Sequence, residues 1–174
     1  MSKTFLEVID SRISATQFSD KPVSDEIINQ ILQILSKCPT ARNAHCYHIC
    51  VVKDEKLKQQ VAEHSNNQMW IASAPVLLVF FRDIKKRREV TGSDAEEHFS
   101  LVDATIACTY AQLAVENLGL KSRWIGGIDN VNMHKLFGLN PLFVATSVLP
   151  IGYVNSELKH NHQPYDMKTV TTFH

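Results

Sequence analysis

Apolar positions along this chain alternate between helical and strand spacing, and that alternation predicts most of its elements. Over 4–11, Phe5, Leu6, Val8 and Ile9 mark an amphipathic helix that gives way to a polar stretch over 12–20, punctuated by Pro22. Ser24 is a natural N-cap, and Asp25 and Glu26 follow in the first turn, where carboxylates suit the positive end of the helix dipole. Behind them Ile27, Ile28, Ile31, Leu32, Ile34 and Leu35 recur at three- and four-residue steps, predicting a helix to about residue 37 that Pro39 stops. The run Tyr-His-Ile-Cys-Val-Val over 47–52 suits a pleated surface and reads as a strand. Asp54 then caps a helix to about residue 64, a brief helical piece covers 67–73, and Pro75 opens a wholly apolar strand over 76–81, buried on both faces.

The second half begins with a polar stretch over 82–97, carrying Lys85, Lys86, Arg87 and Arg88 and then Thr91, Gly92, Ser93 and Asp94. Without periodicity it reads as an exposed loop, with a lid over a ligand as the alternative. The longest helix is expected over 98–117, nearly encircled by apolar residues from Leu101 to Leu118 and therefore central, with Gly119 ending it. A short strand over 123–125 ending in Gly126-Gly127, a short helix over 130–138 and a last strand over 145–153 complete the pattern. Strands separated by helices, with no repeat or linker, predict a single α/β or α+β domain spanning residues 1–174.

Composition changes this picture little. The 174 residues are 44% hydrophobic and 21% charged, as in ordinary globular proteins. Lys plus Arg and Asp plus Glu number 18 each, so no basic field is available for a nucleic-acid backbone. No apolar run approaches the roughly 20 residues a bilayer span needs, and the first residues lack the apolar core of a signal peptide, so a cytoplasmic protein is expected. Cys38, Cys46, Cys50 and Cys108 have no framework spacing and read as buried free thiols. His45 and His48 beside Cys46 and Cys50 raise a metal site, but strand alternation would split the four across two faces.

Phosphate loops, dinucleotide fingerprints, paired-histidine zinc motifs and serine nucleophile elbows are absent. What remains is polar residues at tight turns: Arg12 and Ser14, then Thr40, Arg42 and Asn43 behind Pro39, then Asn67 and Gln68, then Gly126-Gly127. An arginine with a hydroxyl holds a phosphate dianion by charge-assisted bonds. Carboxamides offer donor and acceptor to a heterocycle edge, and paired glycines let backbone amides approach a planar ring.

In this order the segments resemble one family. Ser-Arg-Ile-Ser-Ala-Thr-Gln-Phe followed by Lys-Pro-Val-Ser-Asp-Glu is similar to the opening of the nitroreductases, and Cys38-Pro39-Thr40-Ala41-Arg42-Asn43 to their Ala-Pro-Ser segment. The stretch from Asn67-Gln68 through Ala74-Pro75 to Val79, and the long helix leading to Ser122-Arg123-Trp124-Ile125-Gly126-Gly127, resemble the family's later segments, so the likeness runs along nearly the whole chain. It implies an α+β fold with a central mixed, mostly antiparallel sheet flanked by helices in an intertwined homodimer. It implies FMN as cofactor, NAD(P)H as hydride donor, and a small acceptor reduced by a ping-pong scheme. Arg12 and Ser14 would hold the FMN phosphate, Asn67 and Gln68 the isoalloxazine and ribityl region, and backbone around Ile125, Gly126 and Gly127 the flavin's N5 edge. Pro39, Thr40 and Asn43 would come from the partner chain. No side chain is required as acid or base, so no catalytic residue is expected.

Three departures bear on the phosphate pocket and its surroundings. Thr16 stands where relatives often carry a second basic residue, His160 and His162 stand before Pro164 where a Lys or Arg is common, and His45-Cys46 replace Gln-Pro, so Thr16, His160 and His162 are expected at the FMN phosphate in place of those cations. The pocket is thereby poorer in permanent positive charge. A flavin or small-ligand binding protein without turnover, or a dehalogenase-like branch, is the competing reading.

Overall fold

The computed structural model describes residues 3–92, 97–155 and 164–174. Its organising element is β2 (Val76–Asp83), whose six residues from Val76 to Phe81 are all buried. Strand side chains alternate between faces, so β2 feeds two cores. Val76, Leu78 and Phe80 pack with Ile28, Ile31 and Leu35 of α2 (Asp25–Leu35) and with Ala107, Ala111 and Val115 of α5 (His98–Asn117). Leu77, Val79 and Phe81 pack with Val61 and Ala62 of α3 (Glu55–Glu63), Ile71 of a 3-10 turn at Met69–Ser73, and Met133 of α6 (Met133–Leu136). The sheet is thus the middle of three layers.

Strand order is β1-β2-β4-β3, with β1 at Tyr47–Val52, β3 at Lys121–Ser122 and β4 at Phe143–Gly152, and every ladder is antiparallel. One parallel bridge, Ser14 to Ser122, makes the sheet mixed. A bulge at Phe80/Phe81 leaves Thr146 between paired positions, its hydroxyl donating to the Phe80 carbonyl, 3.1 Å. That extra residue reverses the alternation, which is why Ala145 and Val148, three apart, face the same core.

The α1 helix (Phe5–Ser11) starts at a capping box between Thr4 and Glu7, and the Ser24 and Asp54 side chains cap α2 and α3. The expected boundaries of β1 and α5 are matched residue for residue. Three expectations need correction. The polar 82–97 stretch contains α4 (Ile84–Thr91), capped by the Asp83 side chain and closed by Gly92 at φ 66°. Its four consecutive basic residues hid the pattern: Arg87 is 1% exposed, held in an internal polar site rather than in solvent.

The strand expected over 123–125 lies instead at Lys121–Ser122, with a single further bridge at Ile125. Ile125 and Val148 exchange both backbone bonds at 3.0 Å, so the next hydrogen-bonded pair along the ladder would be Arg123 with Pro150. Proline has no N–H to give, and the ladder breaks. Among the cysteines, Cys38, Cys46 and Cys108 are buried but Cys50 only partly so, and all are free thiols. Burial pushes Cys108 up to about 12 and Cys50 to about 11, so both stay protonated at neutral pH.

Among the described residues, no helix is long and apolar enough to cross a membrane, and no group of three or more His, Cys, Asp or Glu gathers as a metal set.

Candidate active site

The segment after α1 is drawn to the sheet by backbone bonds. Arg12 is the half-buried C-cap of α1, Ser14 bridges Ser122, and the Ala15 N–H donates to the Ser122 carbonyl, 3.1 Å, which leaves Ser14 and Thr16 exposed on either side of buried Ala15. A buried carboxylate anchors this approach. Glu116, 2% exposed on α5, accepts from Lys3, Lys121 and the Ser11 hydroxyl, and Lys121 also donates to the Ser11 carbonyl. Burial alone would raise the Glu116 pKa, but the bonds from Lys121, Lys3 and Ser11 outweigh it and hold the carboxyl below its usual range.

The turn after α3 meets the turn after β3. Asn66 and Asn67 both adopt left-handed backbone, φ 55° and 54°, which asparagine tolerates better than most residues. The Asp129 N–H donates to the His64 carbonyl, 2.6 Å, closing the two turns on one another. The Asn66 amide fills the space a side chain at Gly127 would need, 2.8 Å from a built Cβ. Gly126 has the Trp124 ring in that place, 2.3 Å from a built Cβ. The paired glycines therefore admit Asn66 and Trp124 against the backbone, and both glycines keep exposed main chain.

The Arg123 guanidinium stands 5.7 Å from the Trp70 ring centre, and Trp70 lines a cleft of about 440 Å³ with Thr16, Gln17, Phe18, Ser73 and Asn155. Residues 12–16, 66–68 and 123–127 are joined in this way into one surface region. Asn67 is exposed within it, whereas the Gln68 amide nitrogen donates back to the Ser65 carbonyl, 2.9 Å. Ile125 is 4% exposed and its N–H and carbonyl are both engaged by Val148, so the expected backbone contact narrows to Gly126 and Gly127. Asn66, Trp124 and Glu116 were missed in the sequence. The Asn-Asn pair was the available sign for the first, while the other two depend on contacts distant in the chain.

Pro39, Thr40 and Asn43 lie elsewhere. Their segment enters β1 at Tyr47, which pairs with Arg82, whereas Ser14 meets Ser122, whose partner Ile151 pairs with Val76. Six residues of β2 separate these ends, about 20 Å at strand rise. His160 and His162 lie outside the described residues.

The donor set fits FMN in kind. Arg12 and Ser14 sit on the backbone at the bridge to Ser122 and carry the residue types a phosphate requires, and the exposed Gly126 and Gly127 main chain with Asn67 suits a heterocycle edge.

The nitroreductase family model matches residues 9–75 and 66–153. The Bacillus subtilis (strain 168) protein named FMN reductase (NAD(P)H) is 29% identical over 139 residues, 74% of this chain but 55% of its own length. This chain thus spans just over half of that relative. The solved structure of B. megaterium NfrA2, 26% identical, superposes with a TM-score of 0.86 over 97% of this chain and 73% of that one. A nitroreductase family protein from Streptococcus pneumoniae TIGR4, 17% identical, shares the fold at a TM-score of 0.84 over 98% of this chain and 100% of its own. With its family model covering both cores and the turns between them, the chain belongs to the nitroreductase family.

Proposed function

We propose that the chain is an FMN-dependent oxidoreductase that carries hydride from NAD(P)H to a small acceptor, a nitroaromatic, a quinone or a flavin, by a ping-pong scheme, and that it works as a homodimer. The observation that carries this reading is the convergence of Arg12, Ser14, Asn67 and the Gly126-Gly127 backbone on one region, in a chain similar to an FMN reductase. FMN supplies the hydride-accepting and hydride-donating ring. Arg12 and Ser14 hold its phosphate, Asn67 faces its polar edge with Gln68 offering its carboxamide oxygen, since its nitrogen is held by the Ser65 carbonyl, and the Gly126 and Gly127 amides orient the ring and favour its reduced charge. The acceptor would take the place of the nicotinamide and draw the proton that accompanies the hydride from solvent, so the scheme assigns no side-chain proton donor.

Two features support the dimer. Phe5, Leu6 and Ile9 of α1 and Leu101 and Val102 of α5 are exposed on adjoining helices, and Tyr165, Met167, Val170 and Phe173 stand exposed on the C-terminal segment. Pro39, Thr40 and Asn43, at the far end of the sheet, reach a flavin only from a second copy.

The purified protein should be yellow and should oxidise NADH or NADPH in steady state when loaded with FMN. A colourless protein that gains no flavin absorbance on titration overturns the proposal. Flavin absorbance without nicotinamide oxidation marks a binding protein of the same fold.

A further inference from the structure

The turn leading into β1 runs through left-handed backbone: Arg42, Asn43 and His45 have φ of 58°, 54° and 48°, a region that asparagine tolerates but that costs a residue such as Arg42 about 1 kcal/mol or more. Such geometry persists only where the surroundings impose it, and two buried charged residues do so. Asp103 of α5, 0% exposed, accepts from the Ala41 N–H, 2.8 Å, and the Cys46 N–H, 3.4 Å, gripping the turn at both ends. Arg87 of α4, 1% exposed and 5.1 Å from the Phe99 ring centre, donates to the Ala41 carbonyl, 3.2 Å. Inside this grip the Thr40 hydroxyl accepts from the His45 N–H, 3.1 Å, and Lys86 donates to the His45 carbonyl, 3.2 Å. What the frame presents outward is Arg42 and Asn43, both exposed.

Burying a carboxylate and a guanidinium to fix a surface turn is costly for folding alone, since apolar residues of like volume stabilise as well or better. We propose that Asp103, with Arg87, is a positioning residue that acts across the dimer: it locks the turn from Thr40 to His45 in the form that completes the FMN site built on Arg12 and Ser14 of a second copy of this chain. This rests on the dimeric FMN reading above. The sheet places the turn about 20 Å from its own Ser14, so the frame serves the other copy's site rather than its own.

Mixed dimers test it. An Arg12→Ala chain and an Asp103→Asn chain, differently tagged and co-expressed, are purified as homodimers and as the mixed species, and FMN is titrated by its visible absorbance. Each homodimer should bind FMN weakly, the Asp103→Asn species by on the order of tenfold, the worth of one misplaced hydrogen-bonding edge. The mixed dimer should regain one site of parental affinity, because the Asp103→Asn chain supplies an intact Arg12 and the Arg12→Ala chain an intact turn.

A mixed dimer with no site of parental affinity overturns the proposal, as does an Asp103→Asn homodimer that binds as the parent does. A parent that binds no FMN overturns the functional reading itself, which is a separate result. If Asp103→Asn does not fold, Arg87→Lys, which keeps the charge but not the guanidinium that reaches the Ala41 carbonyl, takes its place in the same mixing. Amide exchange gives a readout without flavin: the Ala41 and Cys46 amides should lose protection in Asp103→Asn while amides of β2 keep theirs. Unchanged protection also overturns the proposal.

Discussion

At the scale of single residues, the glycines at 126 and 127 show how a small side chain is used. Gly126 has no left-handed backbone to accommodate, and its requirement is space for the Trp124 ring. Gly126→Ala should therefore fold, with a gain of about 0.4–1 kcal/mol from a stiffer unfolded chain opposed by loss of the ring's seat. The ring must swing away, and in a Trp70→Phe background the Trp124 emission should shift and gain solvent accessibility; unchanged emission would mean that the ring is not seated there. In the proposed site Arg12 is the permanent cation at the phosphate, and Arg12→Ala should weaken FMN binding more than any other single substitution. Loss of a charge-assisted bond costs about 1.5–3 kcal/mol, roughly ten- to a hundred-fold in affinity. Parental affinity in that variant would put the phosphate elsewhere.

At the scale of elements, the link between α1, α5 and β3 is the three-donor grip on Glu116. Its folded pKa lies below the ordinary carboxylate value of 4.5, so the unfolded chain takes up the proton first on acidification. The stabilisation is fully present above that value and is lost as pH falls below it, through the lower folded value. Glu116→Gln should destabilise the neutral protein by about 2 kcal/mol, with Lys3 and Lys121, at 33% and 18% exposed, partly rehydrating. The gap to the parent should close in denaturation profiles as pH drops from about 5 to 3. A gap independent of pH would show that the carboxylate charge is not what ties these elements. The contrast with α4 is instructive. Asp83 caps it and Gly92 ends it, yet the stretch reads as a loop in the sequence because its basic run conceals the helix: a charged residue declares its polarity and not its burial.

At the scale of the whole molecule, the exposed apolar side chains of α1, α5 and the C-terminal segment predict a dimer at micromolar concentration by light scattering, with an interface of upwards of about 2,000 Å². A Leu101→Asp, Val102→Asp double variant should raise the dissociation constant of the dimer and lose FMN in parallel. A monomeric parent that still binds FMN tightly would remove the two-chain site.

The sequence by itself determined what depends on neighbours a few residues away. Apolar spacing set α2, α5, β1 and β2, the side-chain caps set where helices begin, and the order of polar turns set the family resemblance. Tertiary structure alone decided which of those turns meet. Asn66 reaches Gly127, Trp124 covers Gly126, and Pro150 breaks the ladder opposite Arg123 because strands far apart in the chain are brought into register. It also decided that Arg87 and Asp103 are internal, since burial of a charge is fixed by the donors, acceptors and rings that surround it and leaves no period in the chain that carries it.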